Sequence, residues 1–195
     1  MPWVEPVTLR GRLVQLEPLG ERHAEGLFAA AKAPEIWRLL VAQRIQSVDD
    51  ARDYVRRMRE QFDARQALGF ATVIASTGDV AGSTCFLDIQ PYPRGIEIGS
   101  TWLSPAHQRT GVNTEAKFLM LRHAFEALKA NRVCFKTDAR NDRSRKAIER
   151  IGAKQEGVLR KHMVAADGVL RDSVYFSVVA EEWPGVKVRL EKLMR

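Results

Sequence analysis

The stretch that decides the fold reads Ile96-Glu97-Ile98-Gly99-Ser100-Thr101-Trp102-Leu103, and runs on through Ser104-Pro105-Ala106-His107-Gln108-Arg109-Thr110-Gly111-Val112-Asn113-Thr114-Glu115. The first half predicts a strand. The second half is a loop that opens a helix expected over 111–128, where Leu121, Ala124, Phe125 and Leu128 share a buried face. A strand running into a helix start suits an anion. The first turn leaves N–H groups without acceptors, and the helix dipole adds partial positive charge. Gly111 lets the backbone approach a bulky group closely, and Arg109 adds a full charge. The Gly-Lys-Ser/Thr ending of a P-loop is missing. An ordinary strand-to-helix loop is the other reading of the same residues.

Outward from this stretch, residues 132–137 predict a strand, so the passage from Ile96 to Thr137 can form a parallel strand–helix–strand crossover. A short helix follows over 141–151, with Ala147, Ile148 and Ile151 on one face and Gly152 at its C-terminal end. Strands at 154–163 and 170–179 flank a turn at Ala166-Asp167-Gly168, and a closing helix over 181–194 is interrupted near Pro184. Upstream, one strand is expected at 8–18 and helices at 21–31 and 48–65, the second capped by Ser47 with Asp49 and Asp50 in its first turn. A hairpin at 69–76 and 79–89 turns at Thr77-Gly78. The expected architecture is α/β: a mixed, strongly twisted sheet of about seven strands with helices on both faces, forming a single domain over 1–195.

Composition bounds the function classes. The 195 residues are 45% hydrophobic and 28% charged, the balance of a folded globular chain. No apolar run reaches membrane-spanning length, and Met1-Pro2-Trp3-Val4-Glu5 lacks a signal-peptide pattern, so a cytoplasmic location is expected. Cys85 and Cys134 are too few for a disulfide framework or a zinc site, and no metal is expected. The formal charge of +7 favours anionic partners without choosing among nucleic acid, a ribosome surface and a phosphate-bearing cofactor; no nucleic-acid motif is present.

Gln108-Arg109-Thr110-Gly111-Val112-Asn113 resembles the Q/R-x-x-G-x-G/A signature of the GNAT acetyltransferase superfamily, and Asn141-Asp142-Arg143-Ser144 with Ile151-Gly152-Ala153 resembles its second signature. Within the superfamily, Gly11-Arg12-Leu13-Val14-Gln15-Leu16-Glu17-Pro18-Leu19, Ile96-Glu97-Ile98-Gly99 and Glu156-Gly157-Val158-Leu159-Arg160 resemble the Rim-type branch, which acetylates N-termini of ribosomal proteins. The resemblance covers about residues 8–183.

The resemblance implies acetyl-CoA as acyl donor, with its pyrophosphate in the 108–113 loop and its pantetheine arm added like a strand beside a bulge. It implies cofactor contacts at Trp102, Leu103, Gln108, Arg109, Thr110, Gly111, Val112, Asn113, Thr114, Asn141, Arg143 and Ser144. It implies direct attack by an amine in a ternary complex, with Glu97 as base, directly or through water, and a backbone N–H near Leu103 polarising the thioester. Two departures stand out. Asn113 replaces the signature's last small residue, and Ile148 occupies the place of the usual tyrosine acid, leaving Ser144 to protonate the thiolate. His162 is a weaker candidate base, near where acceptors bind. The expected acceptor is the N-terminal amine of a ribosomal or other protein. A small amine (aminoglycoside, polyamine or amino acid analogue) and a non-catalytic CoA-binding module are the alternatives. No membrane partner and no direct nucleic-acid binding are expected, and a homodimer stays open.

Overall fold

The computed structural model describes residues 2–41, 44–165 and 167–195. Eight strands form one sheet: β1 (Leu9–Arg10), β2 (Val14–Pro18), β3 (Leu68–Ile74), β4 (Val80–Gln90), β5 (Gly95–Leu103), β6 (Arg132–Asp138), β7 (Lys154–Val164) and β8 (Leu170–Val179). Their order across the sheet is β1-β2-β3-β4-β5-β6-β8-β7. All neighbours are antiparallel except β5 and β6, the crossover pair expected from sequence.

Five α-helices cover both faces: α1 (Ala24–Ala30) and α2 (Val48–Asp63) on one, and α3 (Val112–Arg122), α4 (Asp142–Ile151) and α5 (Trp183–Leu193) on the other. The larger core joins α3 and α5 to the sheet through Phe70, Phe86, Ile96, Leu119, Leu121, Phe176 and Leu190. The smaller packs Leu27, Trp37 and Tyr54 under α1 and α2, with Trp102 from the sheet. Burial on this scale stabilises by about 1.5–3 kcal/mol per large side chain. No helix among the described residues is long and apolar enough to cross a membrane.

Local signals explain most boundaries. The Ser47 hydroxyl accepts from the Asp50 N–H at 3.0 Å and starts α2. Gly152 ends α4 at φ 108, a conformation glycine adopts without strain. The expected strand at 8–18 is instead two strands, because the chain turns at Gly11–Leu13 to wrap a carboxylate from α3. Pro184 does not interrupt the closing helix; it lies in the first turn of α5, where its missing N–H costs nothing. The expected turn at Ala166-Asp167-Gly168 lies partly outside the described residues; Gly168 has φ 77 and donates to Ala165 O at 2.9 Å. The helix expected over 111–128 is α up to Arg122 and a π-helical turn over His123–Ala127.

Candidate active site

The crossover pair creates an opening. β5 and β6 pair only at Gly95–Arg132, Ile96–Val133 and Glu97–Cys134. Beyond that point β5 stays with β4 as far as Leu103–Gly82, and β6 stays with β8 as far as Asp138–Ser173. Two strands held by their outer neighbours must diverge, leaving a wedge with one backbone edge of β5 unpaired. Such an edge takes an extended ligand as an added strand. Within the wedge lies a β-bulge: Thr84 alone opposes Ser100 and Thr101, and Ser100 has φ 47.

The bulge thus sits three residues before Leu103, where the polarising N–H was expected. The far end of β5 is too tightly held to splay. A Cβ on Gly82 would lie 2.1 Å from the Trp102 carbonyl oxygen, and the Leu103 carbonyl accepts from Gln108 Nε2 at 2.9 Å.

The wedge leads into the loop before α3. Arg109 turns the chain at φ 61, and Gly111, with no side chain to cap the helix, stands at the N-cap. Among the described residues, the N–H groups of Arg109, Thr110, Gly111, Asn113 and Thr114 find no acceptor, a donor set suited to a pyrophosphate. The Val112 N–H is the exception, occupied by Thr110 Oγ1 at 3.3 Å. Gly111 has ordinary helical dihedrals, and a Cβ there would meet Leu13 Cδ1 at 2.7 Å. Asn113 Oδ1 is buried without a partner. The Thr114 hydroxyl accepts from Arg150 Nη2 at 2.8 Å and ties the loop to α4, which leaves its own proton to donate. Trp102 packs in the smaller core against Trp37, with ring centroids 5.2 Å apart.

The second signature meets the first. Arg143 Nη1 donates to Gln108 Oε1 at 2.7 Å, so the two residues expected at the phosphates are joined. Asn141 caps α4 by accepting from the Ser144 N–H at 3.0 Å. The Ser144 hydroxyl forms no hydrogen bond among the described residues and stays available. Ile148 packs against the main core, as its helical face required, and supplies no acid.

Across the sheet from α3 lies a polar face. Glu97 is buried and its Oε2 is 2.9 Å from Lys136 Nζ. Burial raises its pKa, while the Lys136 charge pulls it back down. Lys136 lies over the Tyr175 ring, which His162 meets edge-on. His162 is exposed, with its pKa lowered by desolvation and then by the charges of Lys136 and Arg171. A base of raised pKa beside the wedge can hold a proton from an attacking amine.

Two buried charges on α3 escaped the sequence reading. Glu115 accepts from the N–H groups of Arg12, Leu13 and Val14 at 3.0, 2.6 and 2.8 Å and so anchors the β1–β2 turn to the phosphate loop. A Cβ on Gly11 would sit 2.5 Å from the Glu115 carboxylate. Lys117 is buried, with Nζ 3.0 Å from Thr84 Oγ1 and 2.6 Å from Thr101 Oγ1, directly behind the bulge. Desolvation lowers its pKa to about 7. Lys117 stands four residues before Leu121, so the helical period itself put it on the buried face.

Residues 13–154 match the family model described as the acetyltransferase (GNAT) domain. The chain belongs to the GNAT acetyltransferase family. It is an acetyl-CoA-dependent N-acetyltransferase. YdaF of Bacillus subtilis (strain 168), which is named provisionally as a ribosomal N-acetyltransferase, is 30% identical over 185 residues, covering 94% of this chain and 96% of YdaF. A GCN5-related N-acetyltransferase from Brucella melitensis superposes with a TM-score of 0.92 at 31% identity, over 100% of this chain and 88% of that one. Mycobacterium smegmatis RimJ, solved with CoA-disulfide, shares the fold at a TM-score of 0.84 and 23% identity, over 97% and 96% of the two chains.

Proposed function

We propose that the chain, acting as one domain over 1–195, acetylates the N-terminal amine of a ribosomal or other cytoplasmic protein in a ternary complex. The observation that carries this reading is the wedge between β5 and β6, bulged at Ser100 and continuous with the open donors of Arg109, Thr110, Gly111 and Asn113. A pantetheine arm fits the unpaired edge of β5, and a pyrophosphate fits the loop, with Gln108, Arg109 and Arg143 around it. When bound, acetyl-CoA supplies a thioester carbonyl open to attack.

The chain's own groups do the rest. Glu97, whose pKa is raised by burial, takes the amine proton directly or through water. An N–H of the bulged segment around Ser100 stabilises charge developing on the carbonyl oxygen. The Ser144 hydroxyl donates to the leaving thiolate. Coenzyme A leaves readily, being a thiol of ordinary acidity with a pKa near ~8.5, so this help is modest.

Release of free thiol from acetyl-CoA, followed with N-terminal peptides of ribosomal proteins and with a polyamine and an aminoglycoside, tests the reading. Peptides are expected to support turnover. Exclusive use of the small amines would reassign the acceptor, and no release with any amine would leave a CoA-binding module.

A further inference from the structure

We propose that Arg171, with His162 beside it, forms an anion subsite on the acceptor side, selecting amines that carry a carboxylate within the first two residues. This rests on the reading of the polar face as the side where the acceptor meets Glu97.

The subsite begins with β8 periodicity. Arg171, Ser173 and Tyr175 alternate onto one face, level with Asp138 and Lys136 of β6 through the pairs Asp138–Ser173 and Lys136–Tyr175. The same face carries Glu97 through its ion pair with Lys136. A chain of contacts joins the two ends. Lys136 touches Glu97 and lies over Tyr175; Tyr175 meets His162; His162 Nδ1 lies 3.0 Å from Ser173 Oγ; Ser173 Oγ accepts from Arg171 Nε at 2.9 Å.

The Arg171 charge lacks a counter-ion. The residue is 6% exposed, yet no carboxylate among the described residues lies within 4.0 Å of its guanidinium. Asp138 acts on it from farther away, but that carboxylate is already engaged by Arg140 through Nε at 3.0 Å and Nη2 at 2.7 Å. Glu97 is likewise engaged by Lys136. The Nη groups of Arg171 make no hydrogen bond among the described residues. Nor are they sealed off, since among the described residues the side-chain atoms buried without partners are Asn113 Oδ1 and Arg145 Nε. A cation withdrawn from water without a partner is costly, and a bound carboxylate would relieve that cost by two parallel bonds.

His162 adds a second polar group. Ser173 Oγ accepts from Arg171 Nε and lies 3.0 Å from His162 Nδ1. When the Ser173 hydroxyl donates to Nδ1, the neutral imidazole holds its hydrogen on Nε2, away from Ser173. At the other end, Asp88 adds negative charge near Glu97. The face is therefore polarised, negative where the amine arrives and positive at Arg171, which complements an acceptor with an amine at one end and a carboxylate a short way along.

Acceptors paired to differ only in carboxylate against carboxamide test this: peptides beginning Glu or Gln, peptides beginning Ala-Glu or Ala-Gln, and free alanine against alaninamide. The carboxylate member of at least one pair is expected to show a kcat/KM about 10-fold higher or more, and the pair that does so separates a peptide side chain from a free α-carboxylate. In Arg171→Gln that preference should collapse through the KM of the carboxylate acceptor, while Arg171→Lys retains part of it. Turnover of the carboxamide partner shows that each variant is folded. Equal use of both members by the wild type, or a preference that survives in Arg171→Gln, overturns the subsite. If no amine is acetylated, the transfer reading fails separately. The subsite is then judged by calorimetry of N-acetyl-glutamyl-amide against N-acetyl-glutaminyl-amide on the protein with CoA, and equal binding overturns it.

Discussion

Glu97 stands between opposing influences, and its titration should report both. Burial raises its pKa and Lys136, 2.9 Å away, lowers it. The base must be ionised to accept a proton, so activity falls as the pH drops through its pKa. Replacing Lys136 by Met removes the lowering influence and should move the acid limb of kcat/KM to higher pH, measured as a pH–rate profile. Glu97→Gln should lower kcat by about 10²-fold with the KM for acetyl-CoA almost unchanged; near-wild-type turnover at all pH values would leave the base to water or His162. Ser144→Ala should cost about 10-fold to 100-fold in turnover, because its hydroxyl has no competing bond while Asn141 caps the helix. Normal turnover of this variant would assign thiolate protonation to solvent. At this scale the sequence was readable where a residue's role depends on its neighbours in the chain, as with Asn141 and Gly152. Lys136 and Arg171 were not readable, because they lie 39 and 74 residues beyond Glu97, on other strands.

Helix α3 shows what one element can conceal. The four apolar positions named for the helix expected over 111–128 predicted a single buried face, yet only Leu121 of the four lies in α3, and every residue from Thr114 to Leu121 is buried, because the sheet, the β1–β2 turn and α5 enclose it. Two ionisable side chains, Glu115 and Lys117, are enclosed with it. Lys117 faces two hydroxyls and no carboxylate within 4.0 Å among the described residues, so a third ammonium hydrogen has no partner and the neutral amine fits better. Its folded pKa of about 7 lies below the value of an unfolded lysine. The unfolded chain therefore binds the extra proton between about pH 7 and 10, and the lysine weakens the fold progressively as the pH falls through that window, with no further change below. Lys117→Met should raise Tm, by a margin that grows from pH 10 to pH 7 and then levels off; on this bookkeeping the relief is on the order of a few kcal/mol. A margin independent of pH would show that the lysine is charged throughout. Glu115→Ala removes the acceptor of three N–H groups, of which that of Val14 is buried, and should cost about 1–3 kcal/mol, read from denaturant unfolding, together with weaker acetyl-CoA binding through the loosened loop. The parallel crossover, unlike these charges, followed from the strand–helix–strand order; the divergence did not, because it depends on how β5 and β6 pair with their outer neighbours.

Across the whole molecule, the formal charge of +7 meets a polyanionic donor. Attraction of this kind is screened over about 8 Å at physiological ionic strength. The Kd for acetyl-CoA should therefore rise several-fold between low and high salt, measured by calorimetry, and a salt-independent Kd would confine the useful charge to the loop's own backbone donors. Most strands and helices were visible in apolar periodicity and the crossover in their order, because most elements bury a face of their own. The exception was the N-terminal strand, which divides at Gly11 for a carboxylate that arrives more than a hundred residues later.

That long-range anchor has a consequence for the order of events during synthesis. The turn at Gly11–Val14 emerges first, but the acceptor for its three N–H groups is residue 115. While the intervening residues are being made, at about 5–20 per second, the N-terminal turn has no anchor, and the phosphate loop that it steadies does not yet exist. The donor-binding end of the protein is thus assembled from its earliest and middle segments in a single late event, and a ribosome stalled before α3 carries a chain in which that event cannot begin.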